Sequence, residues 1–465
     1  MPATLLEKLW NLHEIADLGG RDSLIHIDRI FLHERTGSIA LRGLEQEGRS
    51  VRAPRRAFCT MDHIVDTRPG RGDISLVPHG REFIEATRHS ARNAGIHLFD
   101  IDDSRQGIVH VVAAENGIVL PGMSAVCPDS HTCTLGALGA LAWGIGSTEA
   151  EHALATSCLR ASRPRSMRVN FVGTTTPGVT AKDMVLHLIA GFGSRAGRGF
   201  AVEFAGPAIH ALNMDGRFTI CNMAVEMGAF TGMIAPDERT IAYVRDAPYA
   251  PRGPLAEQAE AHWRELHSDE GAEFDRELEV DCARIAPSVT WGTNPEQLVG
   301  INGVVPEPGA FDDPQQSLAA RQAQAYMDLE PGTSMRSVRI DAAFIGSCTN
   351  NRLDDLRDAA NHLRGRKVAS WVQALCVPGS SAIKRQAEAE GLDEIFRAAG
   401  FEWREAGCSL CFHAGGESFG GRRVISSTNR NFQGRQGSGA RTHLASPLTV
   451  AASACRGYIS TAEDS

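Results

Sequence analysis

The alternation of short apolar strands, glycine turns and amphipathic helices is the feature that most constrains the fold of this 465-residue chain. In the clearest instance, the apolar run 342–345 precedes Gly346, and a helical pattern of apolar residues begins at Leu353. Further along, a helix predicted at about 382–399 leads into a second predicted strand at 401–404. Such alternation predicts α/β domains with largely parallel sheets, whose functional residues lie in the loops that follow strands.

Three cysteines lie in loops of this kind. Cys348 follows the first of these strands, and Cys408 and Cys411 follow the second. Because loops at the carboxyl ends of strands in one sheet can meet outside that edge, we expect the three thiols to converge. Three thiolates suit an iron–sulfur cluster with one iron left open, but the nearby His413 also allows a zinc site with three cysteines and one histidine. Buried thiols without any metal are the third interpretation, and the cysteines by themselves leave all three open.

Length and composition narrow the class of protein. A chain of this length is expected to form roughly two to four domains, and its 22% charged and 42% hydrophobic residues are typical of a soluble protein. The net charge of −9 argues against a dedicated nucleic-acid binder. Eleven cysteines at irregular spacings do not resemble a secreted disulfide framework. The start has no signal-peptide pattern, and the apolar region 136–146 is too short to span a membrane. We therefore expect a cytoplasmic protein.

Shifts in composition indicate where domains begin and end. The basic and polar stretch near residue 165 suggests a first α/β domain at 1–165 and a second at 166–250. The region 251–280 is rich in Pro, Glu and Arg and is predicted to be a linker. Strand–helix alternation then resumes in a third α/β domain at 281–465, which carries the cysteines.

Histidines beside carboxylates are the candidates for proton transfer. A carboxylate close to an imidazole fixes its tautomer and raises its basicity, which suits a proton donor or acceptor at neutral pH. Each pair is equally compatible with a capping aspartate and a buried, satisfied histidine, and no nucleophile elbow surrounds the serine. One of these histidines lies in the apolar run 107–112, which is predicted to be a strand. The candidates are Asp62, His63, His110, Asp129, Ser130 and His131.

Two polar segments are candidates for substrate binding. A helix predicted at 221–228 would bring Asn222 and Glu226 onto one face, since residues four apart are neighbours on a helix. The segment 427–436 contains two arginines among amides, and the planar guanidinium fork binds carboxylates at two points. Two such forks suit a di- or tricarboxylate. An exposed basic loop, or one that binds phosphate or nucleic acid, is the alternative. The arginine-loop candidates are Asn429, Arg430 and Arg435.

Taken together, these segments resemble the aconitase superfamily, and within it the large subunits of bacterial 3-isopropylmalate dehydratase. The resemblance runs from Leu5 to about Ala454. Its carriers, in chain order, are Thr60–His63, Gln106–His110, Asp129–Thr132, Cys221–Met223, Gly346–Asn350, Gly407–Cys411 and Asn429–Phe432.

The resemblance implies an α/β fold with three α/β/α domains around a central iron–sulfur site, without the swivel domain of single-chain aconitases. It further implies a [4Fe–4S] cluster held by Cys348, Cys408 and Cys411, with the fourth iron open to substrate. By the same resemblance, the two Asp–His pairs would protonate the departing hydroxyl and orient water, supported by His110 and Glu226. The residues that it implies for substrate binding are Asn222, Asn429, Arg430 and Arg435.

The implied reaction converts 2-isopropylmalate to 3-isopropylmalate, a step of leucine biosynthesis, by dehydration followed by rehydration. A separate small subunit would supply the missing swivel domain. The sequence departs from the usual large-subunit pattern at Pro128, at Cys133 and over 412–417. An isomerase for another 2-substituted malate, such as benzylmalate, citramalate or homocitrate, is therefore an alternative expectation. A cluster-free protein that binds RNA is a more remote one.

Overall fold

A computed structural model describes residues 2–413 and 416–464 of the chain. It divides into two compact units, each assembled from separate stretches of sequence. Unit 1 comprises Met1–Val65, His79–Thr174 and Arg195–Asp281, and unit 2 comprises Asp66–Pro78, Thr175–Ser194 and Cys282–Ser465. No helix among the described residues combines the length and apolar character needed to cross a membrane.

The described residues form short strands and helices in alternation. The strands are β1 (Glu14–Asp17), β2 (Asp22–His26), β3 (Arg29–His33), β4 (Ala57–Thr60), β5 (His97–Phe99), β6 (Ser124–Cys127), β7 (Leu141–Gly144), β8 (Cys158–Ser162), β9 (Arg165–Val172), β10 (Phe200–Ala205), β11 (Thr231–Met233), β12 (Arg276–Asp281), β13 (Ser288–Thr290), β14 (Leu298–Gly300), β15 (Ala342–Ile345), β16 (Gln373–Cys376), β17 (Phe401–Trp403), β18 (Arg423–Ser426) and β19 (Arg441–Leu444).

The helices are α1 (Leu5–His13), α2 (Gly37–Gln46), α3 (Gly80–Ala94), α4 (Val109–Glu115), α5 (Ser147–Thr156), α6 (Ala181–Phe192), α7 (Pro207–Ala211), α8 (Met214–Asn222), α9 (Glu238–Val244), α10 (Pro254–Arg264), α11 (Pro314–Met327), α12 (Leu353–Leu363), α13 (Ser381–Ala389), α14 (Leu392–Ala399) and α15 (Pro447–Arg456). Short 3₁₀ helices, among them Ser130–Leu138, Met223–Met227 and Ser409–Cys411, lie between them.

A five-stranded parallel sheet in unit 1 sets up the first group of polar residues. Its strand order is β5-β4-β3-β6-β7, and every neighbouring pair is parallel. Buried apolar residues such as Met61 and Ile84 pack beside it. Because the strands run the same way, the residues that follow β3, β4 and β6 leave the sheet at one edge.

The predicted strand at 107–112 is wrong. Helix α4 occupies this region, and His110 lies on it. The residues from Ile108 to Ala114 are buried on all sides, so the sequence has no amphipathic period, and a buried helix cannot be told from a buried strand by periodicity alone.

A second parallel sheet in unit 1 has the order β11-β10-β9-β12. It corrects the predicted linker at 251–280, because this stretch contains helix α10 and most of β12, which pairs with β9. The segment is therefore part of the folded unit. Strands β1, β2 and β8 form a separate antiparallel sheet.

Unit 2 is built on a third parallel sheet, of order β17-β16-β15-β18-β19. Its core includes Phe344 on the central strand β15 and Val424 on β18. Strands β15, β17 and β18 lead into the loops with Cys348, Cys408 and Asn429 respectively. The strand at 342–345 and the helix at 353–363 lie where the sequence predicts them.

The three parallel sheets fall largely within the three domain ranges expected from the sequence. The two compact units do not follow those ranges, since unit 1 includes the first two sheets and unit 2 takes in the short stretches 66–78 and 175–194. The division into three domains stays a prediction.

Candidate active site

Asp129 is the centre of the polar cluster in unit 1. One of its oxygens, Oδ2, lies 3.3 Å from His63 Nε2, and the other, Oδ1, lies 3.3 Å from His110 Nε2. His131 Nδ1 lies 3.6 Å from Oδ1, and the backbone N–H of His131 donates to the same oxygen at 2.8 Å. Asp129 thus caps the 3₁₀ helix 130–138 and faces three imidazoles.

These imidazoles determine the charge of Asp129. Burial by itself would raise the pKa of the carboxyl group, but the charge of His110 and the contacts with His131 and His63 outweigh it. The pKa of Asp129 is therefore held well below its usual range, and the group is an anion at neutral pH.

The second Asp–His pair is adjacent in sequence and in space. Asp62 Oδ1 lies 2.6 Å from His63 Nδ1, and its Oδ2 accepts the backbone N–H of Val109 at 3.0 Å. Burial opposes ionisation of Asp62, but the charge and hydrogen bond of His63 lower its pKa nonetheless. Asp62 thereby fixes the orientation of the His63 ring and joins the loop after β4 to the start of α4.

His131 continues the cluster away from Asp129. Its Nε2 lies 2.8 Å from Oε1 of Glu226, and both side chains are largely buried. Nearby, the amide of Asn222 donates to Thr134 Oγ1 at 2.8 Å, and Thr134 Oγ1 donates to the carbonyl of His131. Asn222 therefore supports the backbone of the Asp-Ser-His segment.

The helix predicted at 221–228 corresponds instead to the end of α8 followed by the 3₁₀ helix 223–227. Asn222 is the last residue of α8, and Glu226 lies in the tighter turn beyond it. The change in helical pitch directs Glu226 to the imidazole of His131.

His110 is fully buried, and neither of its ring nitrogens has a well-oriented hydrogen-bond partner among the described residues. Its Nε2 lies 3.3 Å from Asp129 Oδ1 but is not oriented for a hydrogen bond, so the contact between the two side chains is electrostatic. Ser130, the other member of the Asp-Ser-His segment, is exposed.

Sequence reasoning missed His33, the last residue of β3, and Glu34, which follows it at the same sheet edge. The ring of His33 stacks on that of His63 with centroids 4.2 Å apart. Glu34 is fully buried, and its carboxylate accepts the backbone N–H groups of Asp62 and Ile64. Their position at the end of a buried strand is the signal that would have identified them.

The four side chains His33, Glu34, Asp62 and His63 lie close enough to hold a metal ion. The carboxylates, however, are already used internally, Glu34 by backbone N–H groups and Asp62 by His63 and Val109. Burial and the neighbouring charge of Asp62 raise the pKa of Glu34 to about 7, so this buried acid gains and loses its proton close to neutral pH. The arrangement is typical of a hydrogen-bonded proton network.

The cysteine loops of unit 2 form the second group. Ser347 Oγ lies 3.0 Å from Cys411 Sγ and 3.9 Å from Cys348 Sγ, so one hydroxyl contacts two of the three sulfurs. Ser347 has a φ of 83°, a left-handed conformation that a non-glycine residue adopts only under constraint. This turn after β15 places Cys348 beside the other loop.

Cys408 and Cys411 share one short turn. The N–H of Cys411 donates to the carbonyl of Cys408 at 3.0 Å across the 3₁₀ helix 409–411. Within this turn, Ser409 has a φ of 47°, and its hydroxyl accepts a hydrogen bond from Thr67 Oγ1 at 3.0 Å. Thr67 belongs to the stretch 66–78, which therefore braces the cysteine turn.

Asn429 connects the arginine segment to the first cysteine loop. Its amide donates to Cys348 Sγ at 3.5 Å and to Thr349 Oγ1 at 3.0 Å. Arg435 lies between the rings of Phe412 and Phe432, 5.2 and 5.4 Å from their centroids, and its Nη2 lies 3.9 Å from Cys411 Sγ. Its Nε is buried without an acceptor among the described residues.

Arg430 follows Asn429 directly and is half-buried. His413, the fourth ligand of the alternative zinc site, has its Nδ1 3.3 Å from the carbonyl oxygen of Glu417. Residues 414 and 415 of the atypical segment 412–417 lie outside the described residues.

Comparison with known proteins identifies the family. The aconitase family (aconitate hydratase) matches residues 7–457. The chain belongs to the aconitase family. It is also 51% identical to the 3-isopropylmalate dehydratase large subunit 1 of Bradyrhizobium diazoefficiens, over 98% of this chain and 95% of that protein. Among solved structures, the holo-form of Thermococcus kodakaraensis aconitase X matches with a TM-score of 0.44 and 14% identity, over 92% of this chain and 89% of that one.

Family membership confirms the resemblance and the aconitase-like α/β fold inferred from the sequence, and it makes the chain a hydro-lyase. The aconitase family also implies an iron–sulfur cluster. The residues present fit such a group, because Cys348, Cys408 and Cys411 are largely buried, form no disulfide among the described residues and lie in loops of one unit. Thiolates are the ligands of iron–sulfur clusters, and the Asn429 amide beside Cys348 is a donor of the kind that tunes such a site.

Proposed function

We propose that this chain is the large subunit of an enzyme that isomerises 2-isopropylmalate to 3-isopropylmalate by removing water and adding it back in the opposite sense. The observation that carries this proposal is the 51% identity, over almost the whole length of both chains, to a protein named 3-isopropylmalate dehydratase large subunit. Because that relative is named a large subunit, we further propose that activity requires a separate small subunit.

The chemistry needs three kinds of group. A base, which we propose the small subunit supplies, must take the proton next to a carboxylate, and cations must stabilise the negative charge that builds on this already charged group. A hydroxyl must leave as water, which needs a proton donor and a Lewis acid. The substrate's carboxylates must also be held in a fixed orientation.

We assign the cofactor to the cysteine loops. Cys348, Cys408 and Cys411 would hold a [4Fe–4S] cluster through three thiolates. When bound, this cluster would supply a Lewis-acidic iron for the hydroxyl and carboxylate oxygens of the substrate. Ser347 and Asn429 would orient the thiolates through the contacts described above.

Proton handling falls to the cluster around Asp129. The Nδ1 of His131 faces Asp129 and its Nε2 faces Glu226. The imidazole can therefore relay a proton between the two carboxylates. His63 is held at Nδ1 by Asp62, which leaves Nε2 to exchange a proton on the side of Asp129. We propose that His131 and His63 protonate the departing hydroxyl and orient the returning water, and that His110 keeps Asp129 ionised.

Carboxylate binding falls to the segment 429–435. The buried Nε of Arg435 has no acceptor among the described residues, which fits a guanidinium kept for a ligand oxygen. Arg430 and Asn429 lie on the same segment, and we propose that they hold the second carboxylate. Asn222 acts indirectly, through Thr134 and the backbone of His131.

The experiment is reconstitution of the chain with its small subunit under anaerobic conditions. Absorbance of the unsaturated intermediate is followed with isopropylmalate, benzylmalate, citramalate and homocitrate. We expect the highest kcat/KM on isopropylmalate, and no turnover by the large chain alone. Higher kcat/KM on any of the other three would show that the enzyme serves a different 2-substituted malate.

We also propose a cytoplasmic location. None of the eleven cysteines is in a disulfide in the part of the chain that the structure describes, and cysteines stay reduced in reducing compartments.

A further inference from the structure

Lys182 is a fully buried lysine that the proposed mechanism does not use. It lies in the first turn of α6, within the stretch 175–194 that belongs to unit 2. A buried ammonium loses its hydration, so it is stable only where strong hydrogen bonds replace the lost water. Its position therefore requires an explanation.

The start of α6 is fixed by local contacts. Asp183 Oδ2 accepts the backbone N–H and the hydroxyl of Thr180, both at 2.8 Å, which forms a capping box. Asp183 Oδ1 accepts the N–H of Ser288 at 2.9 Å. The chain is thus fixed on either side of Lys182, at Thr180 and at Asp183.

The ammonium contacts the backbone at the start of the arginine-containing segment 427–436. Lys182 Nζ donates to the carbonyl of Ser427 at 3.1 Å and to that of Thr428 at 2.6 Å. These carbonyls follow the carboxyl end of β18 and directly precede Asn429. Charge-assisted hydrogen bonds of this kind are roughly twice as strong as neutral ones.

The same short stretch is joined to the first cysteine loop. Ser427 Oγ accepts the N–H of Gly346 at 3.0 Å and donates to its carbonyl at 3.1 Å. Asn429 then reaches Cys348 Sγ and Thr349 Oγ1. A displacement of 427–428 would therefore be transmitted to the groups beside the cysteine sulfur.

We propose that Lys182 is a positioning residue, which holds the stretch 427–429 so that Asn429 stays beside Cys348. This inference rests on the proposed function, because it assigns Lys182 to the same cofactor loop. Its consequence is that loss of the ammonium weakens cofactor retention and substrate binding together, although Lys182 touches neither group.

The test compares Lys182→Met with Lys367→Met in the reconstituted two-subunit enzyme. Methionine keeps the length of the side chain and removes its donors. Lys367 is a matched control, because its ammonium also donates to a backbone carbonyl of unit 2, that of Ala398 at 2.6 Å, but is exposed. The readouts are iron and sulfide per chain, the rate of iron loss to a chelator, the electron paramagnetic resonance spectrum of the reduced cluster, and KM.

For Lys182→Met we expect iron loss to accelerate by about 10- to 100-fold, as for other residues that support metal ligands, with a shifted spectrum and a raised KM. Lys367→Met should match the wild type. Wild-type iron retention, spectrum and KM in Lys182→Met would overturn the proposal. If that variant does not fold, Lys182→Gln, which has no charge and is one atom shorter, is measured in the same way, and wild-type values there would show that the ammonium is not required and would overturn the proposal.

These readouts distinguish a failure of the role proposed for Lys182 from a failure of the proposed enzymatic function. A wild-type enzyme that holds iron and sulfide but does not turn over isopropylmalate would contradict the proposed substrate, while iron retention would still decide the role of Lys182. A wild-type chain that holds no cluster after reconstitution would contradict both.

Discussion

His131 and Glu226 lie 95 positions apart in the sequence, yet Nε2 of the first and Oε1 of the second are 2.8 Å apart in a largely buried contact. The pair extends the network around Asp129 by one carboxylate. Two carboxylates stabilise a positive charge on the imidazole between them more than one carboxylate would.

Glu226→Gln keeps the shape of the side chain and removes its charge. We expect kcat to fall on the order of 100-fold, within the range that positioned acid–base groups contribute, while KM changes little because Glu226 contacts a histidine instead of the substrate. Steady-state kinetics at several pH values check this expectation. The exposed Glu82→Gln serves as control, and an unchanged kcat in Glu226→Gln would remove the pair from the proton pathway.

Glu34→Gln should change how stability depends on pH. The pKa of Glu34 is raised from 4.5 to about 7 by burial and by Asp62, so the folded protein holds this proton more tightly than the unfolded chain does. The stability that Glu34 contributes is therefore fully present below about pH 4.5 and is lost as the pH rises through about 7.

The measurement for Glu34 is denaturant unfolding of the apo-protein at pH 5, 6, 7 and 8. Because glutamine does not ionise, we expect the variant to gain stability relative to the wild type as the pH rises, by on the order of 1–3 kcal/mol. Parallel pH dependence in the two proteins would show that Glu34 is ionised in the folded state throughout this range.

Local patterns in the sequence were sufficient to predict the strands and helices that have a clear periodic pattern of their own. The strand 342–345 and the helix 353–363 lie as predicted, because an apolar run and an amphipathic helix are each visible within a few residues. The turn between them has its left-handed residue at Ser347 and not at Gly346. The strand order that gathers the loops after β15, β17 and β18 at one edge then follows from parallel pairing.

The sequence alone did not predict the secondary structure of segments whose conformation depends on tertiary contacts. Residues 109–115 form a helix whose first turn donates the N–H of Val109 to Asp62, and residues 108–114 are buried on all sides. Near residue 136, the chain forms a 3₁₀ helix, strand β7 and helix α5. Gly136 allows two backbone segments to approach closely, because a Cβ there would lie 1.8 Å from the carbonyl oxygen of Gly232.

Cys348→Ser should remove the iron and the activity together. Serine cannot supply a thiolate, and the cluster would lose one of only three protein ligands. Iron and sulfide analysis and visible absorbance of the anaerobically reconstituted protein provide the measurement. Cys455→Ser is the control, since Cys455 lies on α15 of the same unit, away from the cysteine loops. A Cys348→Ser protein with full iron content would contradict the ligand assignment.

Arg435→Lys should weaken substrate binding and leave the cluster in place. The guanidinium of Arg435 stacks between Phe412 and Phe432, and its buried Nε is free to meet a ligand oxygen. Lysine offers neither the planar stack nor the two-point fork, so we expect KM to rise about 10- to 100-fold, which corresponds to roughly 1.4–2.8 kcal/mol of lost binding.

Kinetics and iron analysis on the same preparation of Arg435→Lys separate substrate binding from cofactor retention. Arg422→Lys, at an exposed position of the same unit, should behave as the wild type. If Arg435→Lys loses iron at the same time, the guanidinium acts on the cysteine turn through its contact with Cys411, and the assignment to the substrate carboxylate is wrong.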